Sequence, residues 1–313
     1  MTNQNPDAYK LTVKPAFEQR YRQILGSRYE EFMEISRTYP RKSLRANTLK
    51  SSVDEIKWRL QGKFSLSQIP WCKEGFWITG ERRDVGNLIE HALGYIYVQE
   101  AASMLPVEAL MPGLGEQVLD MCAAPGSKSS QIAAKMDNSG VLIANDHSAL
   151  RLKALSVNLQ RSGVLNAIIT EMEGSQLRKI QFDRVLVDAP CSATGTLRKS
   201  PGTLQMWNPL MVTRLTATQK RLLQAGFDSL RPGGTLVYST CTLEPEEDEG
   251  VMSWLLESNA NAEAVDISLE IKRSEPIRSF AGVDFNPGVS KALRIYPMDN
   301  DTDGFFVAKI RKK

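Results

Sequence analysis

Apolar residues near the start of the chain recur at intervals of three and four: Phe17, Tyr21, Ile24 and Leu25, then Phe32 and Ile35, with Gly26-Ser27 between the two sets. This period places each set on one face of a helix and makes the Gly-Ser pair a break, so two amphipathic helices are predicted over residues 16–38. The pattern then shortens. The run from Ser43 to Leu49 alternates polar and apolar residues like a half-buried strand, and Ser51-Ser52-Val53-Asp54 has the composition of a cap ahead of the helical Ile56–Leu60. Phe76-Trp77-Ile78-Thr79 gives a further strand. A β-α-β run of this kind predicts a small α+β unit, assigned to residues 1–95.

From about residue 117 the pattern changes to short, continuous apolar runs separated by helical stretches. The runs are Val118-Leu119-Asp120, Val141–Ala144, Ala167–Thr170, Val185–Val187 and Thr235–Tyr238. Strands apolar on both faces that alternate with helices indicate a parallel sheet covered on both sides, so residues 96–313 are assigned to an α/β unit. No internal repeat or low-complexity segment interrupts it.

At 313 residues, 42% hydrophobic and 24% charged, the chain has the composition of a globular protein, which excludes disorder and a collagen-like fibre. No stretch approaches the roughly 18 consecutive apolar residues of a membrane span, and the N-terminus lacks the basic-then-apolar layout of a secretory signal, so no membrane partner and a cytoplasmic location are expected. Net charge is +3, compatible with a polyanionic partner without requiring one. The clusters Arg41-Lys42-Ser43-Leu44-Arg45, Arg82-Arg83, Arg198-Lys199 and Lys309–Lys313 read first as solvated faces. Cys72, Cys122, Cys191 and Cys241 are separated by 50, 69 and 50 residues, and the two histidines, His91 and His147, show no HxxxH spacing. Neither pattern offers a zinc site or a disulfide framework, so no metal is expected and each thiol is either buried core or reactive.

Candidate chemistry begins where Val118-Leu119-Asp120 runs into Met121-Cys122-Ala123-Ala124-Pro125-Gly126-Ser127-Lys128 and a helix follows. A strand, a small-residue turn and a helix form the corner at which α/β sheets bind nucleotides: Gly126 permits close backbone approach, and Ser127–Ser129 open a helix with free N–H groups. Twenty residues beyond Gly126 the second strand ends in Asn145-Asp146, the place of an acid that holds ribose hydroxyls. GxGxxG and GxxxxGK[ST] are both absent, which argues against a dinucleotide cofactor and a P-loop. An adenosine ligand without a phosphate cradle remains, S-adenosylmethionine, whose sulfonium suits an acid-rimmed cleft. Glu173, just after the third strand, is placed either to reach the adenine edge or to act as a surface or capping acid.

Two strands end in cysteine loops: Asp188-Ala189-Pro190-Cys191 and Ser239-Thr240-Cys241-Thr242. In a parallel sheet the carboxyl ends of all strands share one edge, so both thiols are expected at the cleft beside Gly126, while Cys72 and Cys122 are read as structural. A thiol suits a methyltransferase acting on carbon 5 of a cytosine. That carbon is a poor nucleophile until a thiolate adds at carbon 6, and a second group must then remove the carbon-5 proton to free the thiol. Asp188 suits the ring N3 and exocyclic amine, and Lys128 suits an ionised thiol or the ring oxygen.

Five segments, Tyr97–Pro106, Leu119–Lys128, Asp188–Ser192, Tyr238–Thr242 with its acidic tail Glu244–Asp248, and Gly304–Lys309, resemble in order and spacing the Nol/Nop/Sun RNA (cytosine-5) methyltransferases. The resemblance spans residues 40–310 and is closest to the compact archaeal-type tRNA enzymes. It implies a Rossmann-like S-adenosylmethionine-dependent sheet of seven strands with the last antiparallel, preceded by a smaller domain similar to an RNA-recognition fold. It also implies thiol roles, with Cys241 as nucleophile and Cys191 as the group needed for release. Cofactor contacts implied by similarity are Cys122, Ala123, Ala124, Pro125, Gly126, Ser127, Lys128, Asp146, Arg151, Glu173 and Asp188. Ser127 stands where the family often has Gly, Ala193 where Gly is usual, and Glu173 where Asp is more common; only Glu173 bears on the site. The expected substrate is a flipped cytosine of RNA, tRNA before rRNA, bound by a monomer. A DNA cytosine methyltransferase would attack with Cys191, and an amino-group enzyme would carry Asn-Pro-Pro-Tyr-like residues in place of Asp188–Cys191. A non-catalytic RNA-binding factor would tolerate loss of both thiols, and both are present.

Overall fold

The computed structural model describes residues 4–5, 12–80 and 85–313; the Arg82-Arg83 pair and most of the N-terminal stretch lie outside them. A small antiparallel sheet and a larger, mainly parallel one organise the chain.

The smaller sheet contains β1 (Ser43–Ala46), β2 (Ser65–Gln68), β3 (Gly75–Thr79) and β4 (Ile96–Val98), antiparallel in the order β2-β3-β1-β4. Helices Val53–Leu60 and Ile89–Ala92 fall between its strands, giving a βαββαβ unit. The Ser52 hydroxyl accepts the Glu55 N–H at 3.2 Å, so the expected cap forms. Leu44, Ala46, Phe76, Ile78 and Ile96 pack with Ile56 and Leu60 on the helix side. The opposite face turns toward the larger sheet: Arg45 donates to Gln99 Oε1 at 2.9 Å and to Ser130 Oγ at 2.8 Å, and Trp77 packs beside Trp71.

Helices Pro15–Leu25 and Tyr29–Ser36 are joined by a turn at Gly26, whose φ of +56° suits glycine. They bury Phe17, Tyr21 and Phe32 not on the small sheet but against Leu197, Leu204, Trp207, Leu243 and Tyr296. Phe17 stacks on Tyr21 at 4.0 Å and meets Trp207 edge-on at 5.2 Å.

The larger sheet contains β5 (Gln117–Asp120), β6 (Val141–Asp146), β7 (Ala167–Glu171), β8 (Phe182–Asp188), β9 (Leu230–Thr240), β10 (Ala262–Val265), β13 (Leu293–Ile295) and β14 (Phe305–Lys312); β11 (Ser279–Phe280) and β12 (Val283–Asp284) form a separate hairpin. Its order is β10-β14-β9-β8-β5-β6-β7, with β13 also paired to β14. Strands β5 to β9 are parallel and β14 runs antiparallel to β9, from Phe306 opposite Thr240 to Arg311 opposite Thr235. The expected seven strands with one reversed are therefore present, and β13 adds an eighth along the same edge of β14. Leu119, Val185, Val187, Leu236 and Tyr238 face one core, while Val118, Leu186 and Val237 face the other, which is why these strands are apolar without alternation. The chain order reverses at β5, between β6 and β8, and there the carboxyl ends of the strands open a cleft.

Two basic clusters are only partly solvated: Lys42 and Lys199 are exposed, but one arginine in each is buried. Arg45 and Arg198 are 2% and 1% exposed, and Arg198 donates to the carbonyls of Tyr39 and Thr302 and pairs with Asp301 at 2.7 Å. Arg198 satisfies backbone carbonyls of two chain segments, and Arg45 satisfies side chains at the junction of the two sheets.

Candidate active site

The loop after β5 turns at Gly126, whose φ of +105° opens the helix Ser127–Lys135. The β6 end braces it. Asp146 accepts the N–H groups of Ala124 at 3.3 Å and Ser148 at 3.1 Å and pairs with Arg151 at 3.0 Å, and Arg151 also donates to the Ala124 carbonyl at 2.6 Å. Asp146 and Arg151 thus hold the peptide of Ala124 from behind. Asp120, at the end of β5, accepts the Ser129 hydroxyl at 2.6 Å through one oxygen, while its Oδ1 is buried with no partner. Burial pushes its carboxyl up to about 7, against the lowering effect of the Ser129 hydroxyl.

Across the cleft, β8 and β9 deliver the thiols. Asp188 and Ser239 are paired across the strands, the Ser239 hydroxyl donates to Asp188 Oδ1 at 2.8 Å, and Lys128 donates to Asp188 Oδ2 at 2.7 Å and Ser103 Oγ at 3.1 Å. Burial disfavours the Lys128 ammonium, yet Asp188 outweighs it and the net shift is upward. Cys191 Sγ and Cys241 Sγ lie 3.3 Å apart. Their loops are laced together: Thr242 Oγ1 lies 2.7 Å from Ser192 Oγ and 2.9 Å from Thr194 Oγ1, Gly195 N–H donates to the Cys241 carbonyl at 3.0 Å, and Gly304 N–H donates to the Gly195 carbonyl at 2.8 Å. The Cys191 thiol is pushed well up, first by its contact with Cys241 and then by burial.

These elements enclose a cavity of about 460 Å³, within the range of small-molecule sites. Of the sequence-derived candidates, Cys122, Ala123, Ala124, Pro125, Ser127, Lys128, Asp188 and Cys241 border it. Cys191 stands behind Cys241. Gly126, Asp146 and Arg151 do not border this cavity, and Glu173 is exposed at the start of a 3₁₀ turn, its carbonyl accepting the Gln176 N–H. Glu173 does not border this cavity. Burial pushes the Cys122 thiol up as it does that of Cys72.

Further wall residues were not singled out from the sequence: Asp120, Glu100, Ser103, Asp303 and Phe305. Glu100 accepts the N–H groups of Asp303 at 3.2 Å and Ser103 at 3.1 Å, and burial together with the Asp303 charge pushes its carboxyl upward. Several of these lie in the Tyr97–Pro106 and Gly304–Lys309 segments, which carried the family resemblance without marking single residues. Away from the cleft, Cys72, Glu74 and Glu108 bring ligand atoms within 4.8 Å of one another, and Lys135 binds Glu74 at 2.9 Å and Glu108 at 3.1 Å. That ammonium satisfies both carboxylates.

Comparison with known proteins agrees with this geometry. Residues 107–311 match the family described as 16S rRNA methyltransferase RsmB/F, and residues 13–101 match the N-terminal domain of 16S rRNA methyltransferase RsmF. The chain belongs to the RsmB/F (Nol/Nop/Sun) family of RNA cytosine-5 methyltransferases. It is 45% identical over 297 residues to the tRNA (cytosine(49)-C(5))-methyltransferase of Pyrococcus abyssi, covering 94% of each chain. It is 42% identical over 315 residues to the ribosomal RNA small subunit methyltransferase F of Erwinia tasmaniensis, covering 97% of this chain and 64% of that one, so it spans less than two thirds of the latter's length. A crystal structure of a methyltransferase homologue from Pyrococcus horikoshii superposes with a TM-score of 0.87 at 37% identity over 99% of this chain and 100% of that one.

An RsmB/F enzyme methylates carbon 5 of RNA cytosine, and use of S-adenosylmethionine follows from membership of the family. The residues present suit that group. The Gly126 turn admits close approach, the cavity is acid-rimmed, and Asp120 Oδ1 offers a buried acceptor without a partner. Among the described residues no helix is long and apolar enough to cross a membrane.

Proposed function

We propose that this chain methylates a cytosine of tRNA, with Cys241 as the nucleophile and Cys191 as the proton acceptor that allows release. The observation that carries the assignment is the thiol pair itself: the two sulfurs are 3.3 Å apart, and only Cys241 borders the cavity. S-adenosylmethionine supplies an electrophilic methyl group; Cys122–Lys128 and Asp120 would hold it. Lys128 and Asp188 hold the base, the carboxylate accepting from the exocyclic amine and the ammonium meeting the ring oxygen. Cys241 thiolate adds to carbon 6, the electron pair moves into the ring, and carbon 5 becomes nucleophilic. Once carbon 5 carries its methyl group, Cys191 thiolate takes the carbon-5 proton, the 5,6 double bond re-forms and Cys241 leaves as thiolate.

The raised Cys191 fits this order. Its largest cause is the contact with Cys241, so in the resting site Cys191 keeps its proton and does not compete as nucleophile. Bonding of Cys241 to carbon 6 removes that largest cause while burial remains, so Cys191 becomes easier to ionise as the release step approaches.

The relative matched over nearly its whole length is named for tRNA, which supports tRNA as substrate; the family description names 16S rRNA and keeps rRNA as the second reading. We assign RNA contact to the small-sheet unit, which strand β4 carries past residue 95 to Val98, together with the cleft edge. The sheet face that stacks bases in RNA-recognition folds is spent here, with Arg45 and Tyr97 2% and 7% exposed, so RNA is gripped elsewhere on that unit. We read the enzyme as a monomer, and an RNA substrate supports a cytoplasmic location.

The test is transfer of labelled methyl from S-adenosylmethionine to total tRNA and to rRNA by wild type, Cys241→Ala and Cys191→Ala, followed by a denaturing gel. Wild type should make 5-methylcytosine in tRNA, Cys241→Ala should be inactive, and Cys191→Ala should accumulate a covalent protein–RNA band. A band with Cys241→Ala and none with Cys191→Ala reverses the thiol roles; label in rRNA alone moves the substrate.

A further inference from the structure

The acidic run that follows the Cys241 loop, Glu244-Pro245-Glu246-Glu247-Asp248-Glu249, has the composition of a solvated turn, yet Glu244, Glu247, Asp248 and Glu249 are wholly buried. Three of these four have evident reasons to be inside. Glu244 accepts from Arg20, Tyr21 and Trp207, and Asp248 and Glu249 bind Arg294, which is itself buried. Glu247 forms no ion pair among the described residues. Its Oε2 accepts the Ser192 N–H at 3.0 Å and the Gln219 amide at 2.7 Å, and the same Gln219 amide donates to the Pro190 carbonyl at 2.9 Å. Glu247 and Gln219 therefore hold the peptide groups on either side of Cys191. The other end of the clamp is fixed to β9, because the Tyr238 hydroxyl donates to the Glu247 carbonyl at 2.6 Å.

A buried carboxylate without a cation is costly, and here Glu247 Oε1 also has no partner. Burial pushes the carboxyl up to about 7, and its charge is one of the influences that raise the Cys191 thiol. A group held at such cost between the two thiol loops calls for a role beyond packing. Asp188 and Lys128 are positioned by other partners, and the clamp's own hydrogen bonds fall on the two peptides flanking Cys191, with the Cys241 loop sharing the Ser192–Thr242 hydroxyl contact.

We propose that Glu247, with Gln219, is a positioning residue for the release step, fixing the Pro190-Cys191-Ser192 loop so that the Cys191 thiol reaches the carbon-5 proton of a cytosine bonded to Cys241. This rests on the reading of Cys191 as the proton acceptor. Adduct formation needs Cys241 and the base-holding pair and is untouched by the clamp; elimination needs Cys191 in place. A displacement of the order of 1 Å at a reacting group costs up to about a hundredfold in rate.

The experiment follows partition, not activity alone. Glu247→Ala, Glu247→Gln and Gln219→Ala are run with total tRNA and S-adenosylmethionine beside wild type and Cys191→Ala, and both methyl incorporated and covalent protein–RNA fraction are measured over time. Glu247→Ala and Gln219→Ala should slow elimination about tenfold or more and accumulate the covalent band, while methyl transfer to the trapped RNA proceeds at the wild-type rate. Glu247→Gln keeps an acceptor for Ser192 and Gln219 and should restore turnover. If Cys191→Ala traps RNA but both alanine variants partition like wild type, or lose methyl transfer and trapping together, the clamp has no role in release. If Cys191→Ala itself does not trap, the thiol assignment fails first and the inference with it. Should Glu247→Ala not fold, Gln219→Ala on the separate helix Pro209–Asp228 decides.

Discussion

Replacing Lys128 by methionine separates the stability of the site from its chemistry. The Lys128 ammonium donates to Asp188 at 2.7 Å and Ser103 at 3.1 Å and lies 5.5 Å from the centre of the Phe305 ring. Its side chain is 10% exposed, and that of Asp188 is 27% exposed. Breaking one half of a fully buried pair costs about 3–5 kcal/mol, because a charge is left behind. Asp188 retains the Ser239 hydroxyl and partial contact with water, which lowers the expected loss to about 2–3 kcal/mol. Asp188→Asn strands the ammonium instead and should cost about as much. In Lys128→Met/Asp188→Asn no charge is stranded, so urea unfolding of the four proteins should give a coupling energy of about 2 kcal/mol in favour of the double variant. Activity should not follow. On the proposed reading both groups hold the base, and removal of either should lower methyl transfer about a hundredfold, with no recovery in the double variant. Stability losses that add within about 0.5 kcal/mol, or recovery of transfer in the double variant, would refute the reasoning.

Gly195 meets the backbone of both neighbouring loops: a Cβ there would collide with the Gly304 carbonyl oxygen and stand 2.8 Å from the Cys241 carbonyl oxygen. Gly195→Ala should cost about 3 kcal/mol, read as a lower urea midpoint, and abolish transfer, since neither backbone can yield cheaply; wild-type stability would contradict the lacing of the thiol loops. Asp120 has its carboxyl raised from the ordinary 3.8 to about 7, so the folded state binds a proton that the unfolded chain has lost. Stability should therefore fall as pH rises from about 4 to about 7, by about 1.4 kcal/mol per unit at most, and Asp120→Asn should reduce that slope; an unchanged slope in urea titrations would remove Asp120 as a source of it.

The parts of the fold legible from sequence are those whose physics is local. Strands β5, β6, β8 and β9 show as continuous apolar runs because both faces are covered, and Gly26 and Ser52 punctuate helices through backbone effects that need no tertiary partner. Strand β2 has a single apolar residue in Ser65-Leu66-Ser67-Gln68 and lies exposed at a sheet edge, and β4 is only three residues long, so neither carries a period. The convergence of Cys191 and Cys241 was legible through a topological rule, since parallel strands share one edge. The Glu100–Asp303 contact was not, because it joins segments two hundred residues apart whose meeting depends on the reversed strand β14.

The least legible feature, the burial of acidic residues after Cys241, explains how the site holds its geometry. Catalytic side chains on loops are usually the loosest part of a fold, and precision requires that their rotamers be locked by neighbours. Here both thiols are on loops, so rigidity has to be supplied from outside them. Glu244 binds the Cys241 loop to the N-terminal helix through Arg20 and Tyr21 and to Trp207, Glu247 binds the Cys191 loop, and Asp248 and Glu249 bind Arg294 beside β14. One run of six residues thereby connects the N-terminal helices, both thiol loops and the reversed edge of the sheet. This also gives the helices Pro15–Leu25 and Tyr29–Ser36 their place: they pack on the catalytic unit because Tyr21 and Arg20 complete the shell of Glu244, and the small sheet begins only after them. A charge pattern that in isolation signals solvent is, in this fold, the framework on which two cysteines are kept within 3.3 Å.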